Sequence, residues 1–201
     1  MSSILGLPQP LEIHAEVTRE AVYPASPAER AELLLRADTD AVFHYLARRV
    51  TILEDASDLL SDSMLVVWRR RRSVPEDPLE ARMWFFGIAR NVLLTHRRAA
   101  SRQKSLGERL MADLEAAPIF ANYAGTGDDS AEDLRAHVRA LVCSLSERDQ
   151  EIVTLVHWEG FNLEQVAVIL SVRSSTVRSR YARARARLKS LLLESDDVAD
   201  S

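Results

Sequence analysis

Residues 145–193 read LSERDQEIVTLVHWEGFNLEQVAVILSVRSSTVRSRYARARARLKSLLL, and the helix signals in this stretch decide the fold of the carboxyl-terminal half. Ser146 is a helix N-cap residue, and Asp149 three positions later reaches back toward the helix start. Apolar residues follow at helical spacing, and Gly160 is predicted to end this first helix.

A second and a third helix are predicted on either side of a short polar connection. Asn162, followed by Gln165, is a new start signal, and the apolar residues of 163–170 share one face of a short helix. Residues 171–175 make a tight connection, and the third helix begins at Thr176. Two helices around a short turn, the second of them basic, predict a helix-turn-helix.

The third helix is strongly basic. Residues 171–193 contain seven Lys or Arg and no Asp or Glu. Such cation density favours phosphate binding through counterion release, whereas Arg178, Ser179 and Arg183 are placed to reach base edges. A solvated helix surface is the alternative interpretation. The cations predicted to face outward are Arg178, Arg180, Arg183, Arg185, Arg187 and Lys189.

Composition indicates an all-α chain. Of the 201 residues, 47% are apolar and 28% charged, and little strand patterning is present. The net charge of -4 hides a segregation of charge into blocks. Residues 68–104 carry ten basic and three acidic side chains, whereas residues 105–134 carry one basic and seven acidic side chains.

The single cysteine and the lack of a long apolar run indicate where the chain resides. Cys143 cannot form an internal disulfide, which fits a reducing cytoplasm, and it is predicted to be a buried small hydrophobe rather than a redox thiol. No apolar run approaches the ~20 residues of a membrane span, and the amino terminus lacks the basic-then-apolar pattern of a signal peptide. We therefore expect a cytoplasmic protein with no membrane insertion.

Helical spacing recurs through the amino-terminal half. It predicts a short helix over 28–35, begun by Ser26 before Pro27, and a second helix over 40–50. Further helices are predicted over 55–69 and 81–98.

The charges of the 55–69 helix allow two interpretations. Acidic residues at its start and arginines at its end complement the helix dipole, so a purely structural account exists. Asp58, Ser61 and Asp62 also form a polar surface beside an apolar ridge, which suits docking on a partner. The spacing does not separate these two interpretations.

The 81–98 helix has a core stripe and a second, mixed face. Aromatic rings beside arginines can stack unpaired bases, and an Asn amide can bond a base edge. A bulky core helix with a central Asn is the alternative interpretation. The second face consists of Trp84, Gly87, Asn91, Thr95 and Arg98.

Proline, glycine and charge patterns divide the chain into five segments. We predict an irregular acidic leader over 1–35, a helical domain over 36–104 and a flexible linker over 105–130. A helix-turn-helix domain over 131–193 and an acidic tail over 194–201 complete the chain. The fold class is therefore all-α, with two small helical domains.

Taken together, the chain resembles a bacterial sigma factor of the extracytoplasmic-function group in the sigma-70 family. Asp58-Leu59-Leu60-Ser61-Asp62 with Trp68 resembles the helix that docks on the polymerase clamp. Trp84-Phe85-Phe86-Gly87-Ile88-Ala89-Arg90-Asn91 resembles the family's Trp-Leu-Tyr-Arg-Ile-Ala-Arg-Asn run. Residues 158–188 resemble the family's carboxyl-terminal helix-turn-helix.

The resemblance implies binding to core RNA polymerase and promoter DNA, with an anti-sigma factor as a further partner. In the family, the residue at the place of Asn91 helps to hold a flipped base of the minus-ten element. The implied minus-ten residues are Trp84, Arg90, Asn91 and Arg98. The implied polymerase-binding residues are Asp58, Leu59, Ser61, Asp62 and Met64. The implied minus-thirty-five residues are Arg173, Ser175, Thr176, Arg178, Ser179, Arg180, Arg183 and Arg187, with Arg180, Arg185 and Arg187 assigned to phosphates.

Five positions depart from the family pattern. Ser61 stands where Gln is common, and Ser171, Arg173 and Ser175 stand where the turn commonly has Gly, Pro and Gly. Each replacement needs its own turn geometry, and Arg173 adds a possible phosphate contact. Ala182 replaces a bulkier base-contacting residue of some members, which leaves promoter preference open.

Other classes of function explain less of the sequence. A conventional helix-turn-helix regulator would leave the helices at 55–69 and 81–98 without a role, and a structural adaptor would leave the arginines of the last helix without one. The sequence has no Gly-rich phosphate loop, metal-spaced Cys/His set or paired nucleophile. We therefore expect no catalytic residues, no metal and no cofactor.

Overall fold

The computed structural model describes residues 26–103 and 137–199, and every regular element within these ranges is a helix. The two ranges belong to two compact units, so the predicted all-α fold of two small helical domains is confirmed. Residues 1–25 of the predicted leader and the predicted linker at 105–130 lie outside the described ranges.

The first helix, α1, runs over Pro27–Ala47 and corrects two predictions. Ser26 caps it as expected, because its side-chain oxygen accepts from the backbone N–H groups of Ala28 and Glu29 at 3.2 and 3.4 Å. The helix continues through residues 36–39, so the predicted separation into two helices is wrong. The leader predicted as irregular over 1–35 is helical from residue 27 onward, so this prediction is also wrong there. Asp38 and Thr39 are weak helix formers, so this stretch stays helical through tertiary packing, with Leu34 and Val42 buried on either side of it.

Two further helices complete the amino-terminal unit. The second helix, α2, runs over Leu53–Arg69, and a 3₁₀ turn follows at Arg71–Ser73. The third helix, α3, runs over Pro78–Gln103 and begins earlier than the predicted residue 81. Asp77 explains the difference, because its carboxylate accepts from the Glu80 backbone N–H at 2.8 Å and so caps a helix that has proline in its first turn.

The core of this unit is aromatic and is held where α1 and α3 meet. Tyr45 and Phe86 are fully buried, with their rings edge to face and centroids 5.4 Å apart. The Arg82 guanidinium of α3 lies 3.0 Å from the Asp38 carboxylate of α1, and both side chains are largely buried. Because α2 also packs on both helices, the three helices form one rigid support for their exposed faces.

The carboxyl-terminal unit contains helical residues 137–143, then α4 over Glu147–His157, α5 over Leu163–Leu170 and α6 over Ser174–Ala199. The α6 helix begins two positions before the predicted start at residue 176 and extends past the predicted domain end at 193. Cys143 is half-buried, so it is less buried than predicted.

Candidate nucleic-acid and polymerase interfaces

The turn between α5 and α6 sets the angle of the basic helix. A complete capping box begins α5, since the Asn162 side chain accepts from the backbone of Gln165 at 2.9 Å and the Gln165 side chain accepts from the Asn162 backbone at 2.8 Å. Ser171 ends α5 in the left-handed conformation, with φ 55° and ψ 44°. Here the geometry that suits glycine is adopted by serine at a cost of roughly 1 kcal/mol.

The α6 helix lies against α4 and α5 along one apolar line. Val177, Ala184 and Leu188 are buried on its inner face, as predicted. The opposite face and the preceding turn are exposed, and they present most of the predicted minus-thirty-five residues. Those exposed residues are Arg173, Ser175, Thr176, Arg178, Ser179, Arg183 and Arg187.

Arg180 differs from its neighbours on α6. Its guanidinium lies 3.0 Å from the Asp149 carboxylate of α4, and the two side chains are 28% and 22% exposed. The Asp149 carboxylate also accepts from the Ser146 hydroxyl at 2.6 Å. Because Arg180 is turned back onto α4, its predicted outward orientation is wrong, and its charge serves packing between helices.

A second polar contact between α4 and α6 lies one position further along. The His157 ring nitrogen Nε2 and the Tyr181 hydroxyl are 2.9 Å apart, and the two rings stack. Burial raises the pKa of the Tyr181 phenol above its ordinary value, and the Arg185 guanidinium, 5.8 Å from the ring centroid, opposes part of this rise. The basic helix is therefore fixed to α4 by two polar contacts as well as by its apolar line.

The amino-terminal unit has a groove of about 530 Å³ between α2 and α3. Its floor is apolar and its rim carries carboxylate, guanidinium, amide, hydroxyl and imidazole groups. Two predicted site residues line the same groove: Asp62, predicted to contact polymerase, and Asn91, predicted to contact the minus-ten element. The lining residues are Leu59, Asp62, Leu65, Val66, Arg69, Arg70, Ile88, Asn91, Val92, Thr95, His96 and Ala99.

The exposed face of α2 contains three of the predicted polymerase-binding residues. Asp58, Ser61 and Asp62 are exposed, whereas Met64 is half-buried. Leu59 is only 3% exposed, so the structure assigns it to the core rather than to a docking face. It points inward because residue 59 lies on the same helical stripe as the buried residues 56, 63 and 67.

The apolar part of this α2 face consists of Leu65, which the sequence analysis did not single out, and Trp68, which it named only through the family resemblance. Leu65 is 50% exposed and Trp68 is 42% exposed, with the Arg71 guanidinium 5.3 Å from the Trp68 ring centroid. Both follow Asp58 and Ser61 at helical spacing, which was the available signal. The face therefore runs from acidic through apolar to basic along the helix.

The four predicted minus-ten residues on α3 do not all meet in the groove. Asn91 is exposed there, and its backbone carbonyl accepts from the Thr95 hydroxyl at 2.8 Å. Trp84 is half-buried near Arg70, whose guanidinium carbon lies 5.8 Å from the Trp84 ring centroid. Arg90 is half-buried and Arg98 is exposed, and neither lines the groove.

Within the described ranges, no group of His, Cys, Asp and Glu side chains is arranged to hold a metal ion. No helix formed by the described residues is long and apolar enough to cross a membrane.

Comparison with known proteins defines the class of the two units. Residues 34–103 match the family model of sigma-70 region 2, and residues 135–188 match that of sigma-70 region 4. A solved structure with a similar fold is the sigma factor RpoE of Bartonella quintana in complex with the anti-sigma factor NepR. Its TM-score is 0.60 at 23% identity, over 80% of this chain and 95% of that one.

Two relatives from Mycobacterium tuberculosis indicate which group of sigma factors the chain belongs to. The ECF RNA polymerase sigma factor SigL is 24% identical over 178 residues, covering 85% of this chain and 94% of SigL. The ECF sigma factor SigM is 30% identical over 150 residues, covering 74% of this chain and 70% of SigM. The chain belongs to the ECF RNA polymerase sigma factors and acts as an RNA polymerase sigma factor, which confirms the resemblance seen in the sequence.

Proposed function

We propose that the amino-terminal unit, predicted as 36–104, binds core polymerase through the exposed face of α2. The support is the sequence of side chains along that face, where Asp58 and Asp62 precede Leu65 and Trp68. Exposed apolar side chains beside charges are typical of a docking surface, and α2 presents them on a helix held by its own core.

The same unit holds unpaired DNA of the minus-ten element at α3 and the groove. Asn91 lines a groove whose volume lies in the ~300–1,000 Å³ range of small-ligand sites. Trp84, Arg90 and Arg98 contact the DNA outside the groove. An extruded base needs an apolar floor and a few convergent polar groups, which Ile88 and Asn91 supply on adjacent turns.

The carboxyl-terminal unit, predicted as 131–193, places α6 in the major groove of the minus-thirty-five element. The single observation that carries this proposal is the exposure of Arg178, Ser179 and Arg183 on the face opposite the buried line of α6. Arg178 and Arg183 read base edges, and Arg187 and Arg173 contact phosphates. Arg180 instead holds α6 against α4.

An anti-sigma factor is proposed as a regulatory partner, supported by the RpoE relative whose solved structure contains NepR. The chain would then act in the cytoplasm, where core polymerase transcribes, without chemistry of its own.

Run-off transcription from genomic fragments tests the proposal. Purified core polymerase is assayed with and without the full chain, and DNA binding by the chain alone is measured in parallel. Specific initiation only when both proteins are present is the expected result, and it also identifies the promoters. Tight specific binding without polymerase, combined with no initiation, would make the chain a conventional regulator and refute the proposal.

A further inference from the structure

One carboxylate stands at the margin of the basic face of the helix-turn-helix. Glu164 lies in the first turn of α5, and its Oε1 atom is 3.7 Å from Nη2 of Arg178 on α6. The two side chains are 78% and 60% exposed. This contact therefore joins the two helices of the motif on the side where DNA is proposed to lie.

Stability gives little reason for this contact. An exposed ion pair contributes little to folding, because water and salt screen it and two long side chains must be ordered. Near DNA the Glu164 carboxylate also faces phosphates of its own sign, beside a stretch of seven cations at 171–193 that contains no acid. An acid at this place lowers the affinity for DNA, and better recognition of the base sequence would compensate for this loss.

We propose that Glu164 is a positioning residue that fixes the guanidinium of Arg178 for base recognition, an inference that rests on the proposed role of α6. A guanidinium has donors on more than one edge, so one edge can face the carboxylate while another donates to O6 and N7 of a guanine. Holding the side chain before DNA arrives lowers the entropy lost on binding, and it favours the one orientation that suits guanine.

Arg183 provides the internal contrast. Its Nε donates to the backbone carbonyl of Ser179 on the same helix at 3.4 Å, so α6 itself orients this side chain. Arg178 is oriented across the motif instead, by a residue of α5. The preference read by Arg178 therefore depends on α5, whereas that read by Arg183 does not.

The test measures base preference with the full chain and core polymerase. The probes are duplexes of a promoter found by run-off transcription, with all four base pairs placed in turn at each minus-thirty-five position. Arg178→Ala identifies the position that Arg178 reads. Glu164→Gln is then expected to lower the guanine preference at that position roughly two- to five-fold, the range an exposed charge pair supplies. Preferences at the other positions stay as in the parent chain.

Three comparisons make the result decisive. Glu147→Gln, a change of an exposed acid in the first turn of α4, is the matched control and leaves the preference at the Arg178 position unaltered. In the Arg178→Ala background, Glu164→Gln causes no further loss of preference. Circular dichroism checks that each variant is folded.

Two outcomes contradict the inference in different ways. If Arg178→Ala relaxes one position and Glu164→Gln changes binding to all duplexes equally or not at all, Glu164 does not position Arg178, although α6 still reads the promoter. If Arg178→Ala relaxes no position, the base-reading assignment of Arg178 fails, and the inference fails with it.

Discussion

The contact between Arg180 and Asp149 gives a prediction that separates two roles for arginines on one helix. Arg180→Ala removes a guanidinium that lies 3.0 Å from a carboxylate of α4, where both side chains are about three-quarters buried. Arg187→Ala removes an exposed guanidinium from the same helix. We expect the first change to destabilise the carboxyl-terminal unit and the second to weaken DNA binding.

The magnitude follows from the burial of the pair. Exposed pairs contribute about 0–1 kcal/mol, and breaking a fully buried pair costs about 3–5 kcal/mol. Arg180 and Asp149 lie between these limits, and the Ser146 hydroxyl still donates to Asp149 at 2.6 Å after the change. The expected loss for Arg180→Ala is therefore near the lower limit, about 1–2 kcal/mol.

Urea unfolding followed by the fluorescence of Trp158 measures this loss. Trp68 and Trp84 are replaced by Phe in all these variants, so that the tryptophan signal comes only from the carboxyl-terminal unit. Asp149→Ala and the double variant complete a thermodynamic cycle, and a coupling energy of about 1 kcal/mol is expected. With all tryptophans restored, the slope of log binding constant against log salt concentration should fall by about 0.9 for Arg187→Ala and stay unchanged for Arg180→Ala.

A coupling energy near zero would refute the structural role of Arg180. A fall in the salt slope for Arg180→Ala equal to that of Arg187→Ala would return Arg180 to the phosphate contacts first predicted from sequence.

Three further predictions concern separate parts of the chain. Asp58→Arg should weaken core polymerase binding at least ten-fold, the ~1.4 kcal/mol expected when one charge in a docking face is reversed. The control is Glu76→Arg, which changes an exposed acid outside α2 and should leave the affinity measured by fluorescence anisotropy unchanged. Equal affinities for both variants would remove Asp58 from the interface. Ser171→Gly should stabilise the carboxyl-terminal unit by about 0.5–1 kcal/mol, because glycine adopts φ 55° without the steric cost. Gly160→Ala should destabilise the unit by about 1 kcal/mol; this cost comes from the backbone conformation at φ +75° alone, since no neighbour lies within 4 Å of the added Cβ. Urea midpoints of the two variants that move in the same direction would contradict this account. Burial raises the pKa of Tyr181 in the folded state, so the stability contributed by its neutral phenol is fully present below the ordinary tyrosine pKa and is lost as pH rises through the folded pKa. Tyr181→Phe should therefore flatten the fall in unfolding free energy above about pH 10. An unchanged pH profile of the unfolding free energy would argue against the raised pKa.

Local signals in the sequence predicted most helices, because caps and helical periodicity act within a few residues. The Asn162–Gln165 capping box and the Ser26 cap were both expected and are both present. One error lies at residues 36–39, between two helices that were predicted separately; this stretch remains helical because α1 packs against both α2 and α3. At α3, the predicted start at residue 81 was late, because Asp77 and Pro78 were not recognised as the cap and first residue of the helix.

By itself, the amino-acid sequence determined the all-α class, the helix-turn-helix and the family, because these follow from periodicity, caps and motifs that are local or simply ordered along the chain. Only the tertiary structure decided which side chains within those motifs are available. It turned Arg180 onto Asp149, buried Leu59, and placed Asp62 and Asn91 on one groove. Such outcomes depend on the rotation of each helix about its axis and on residues far apart in sequence, which are set when whole helices pack against one another.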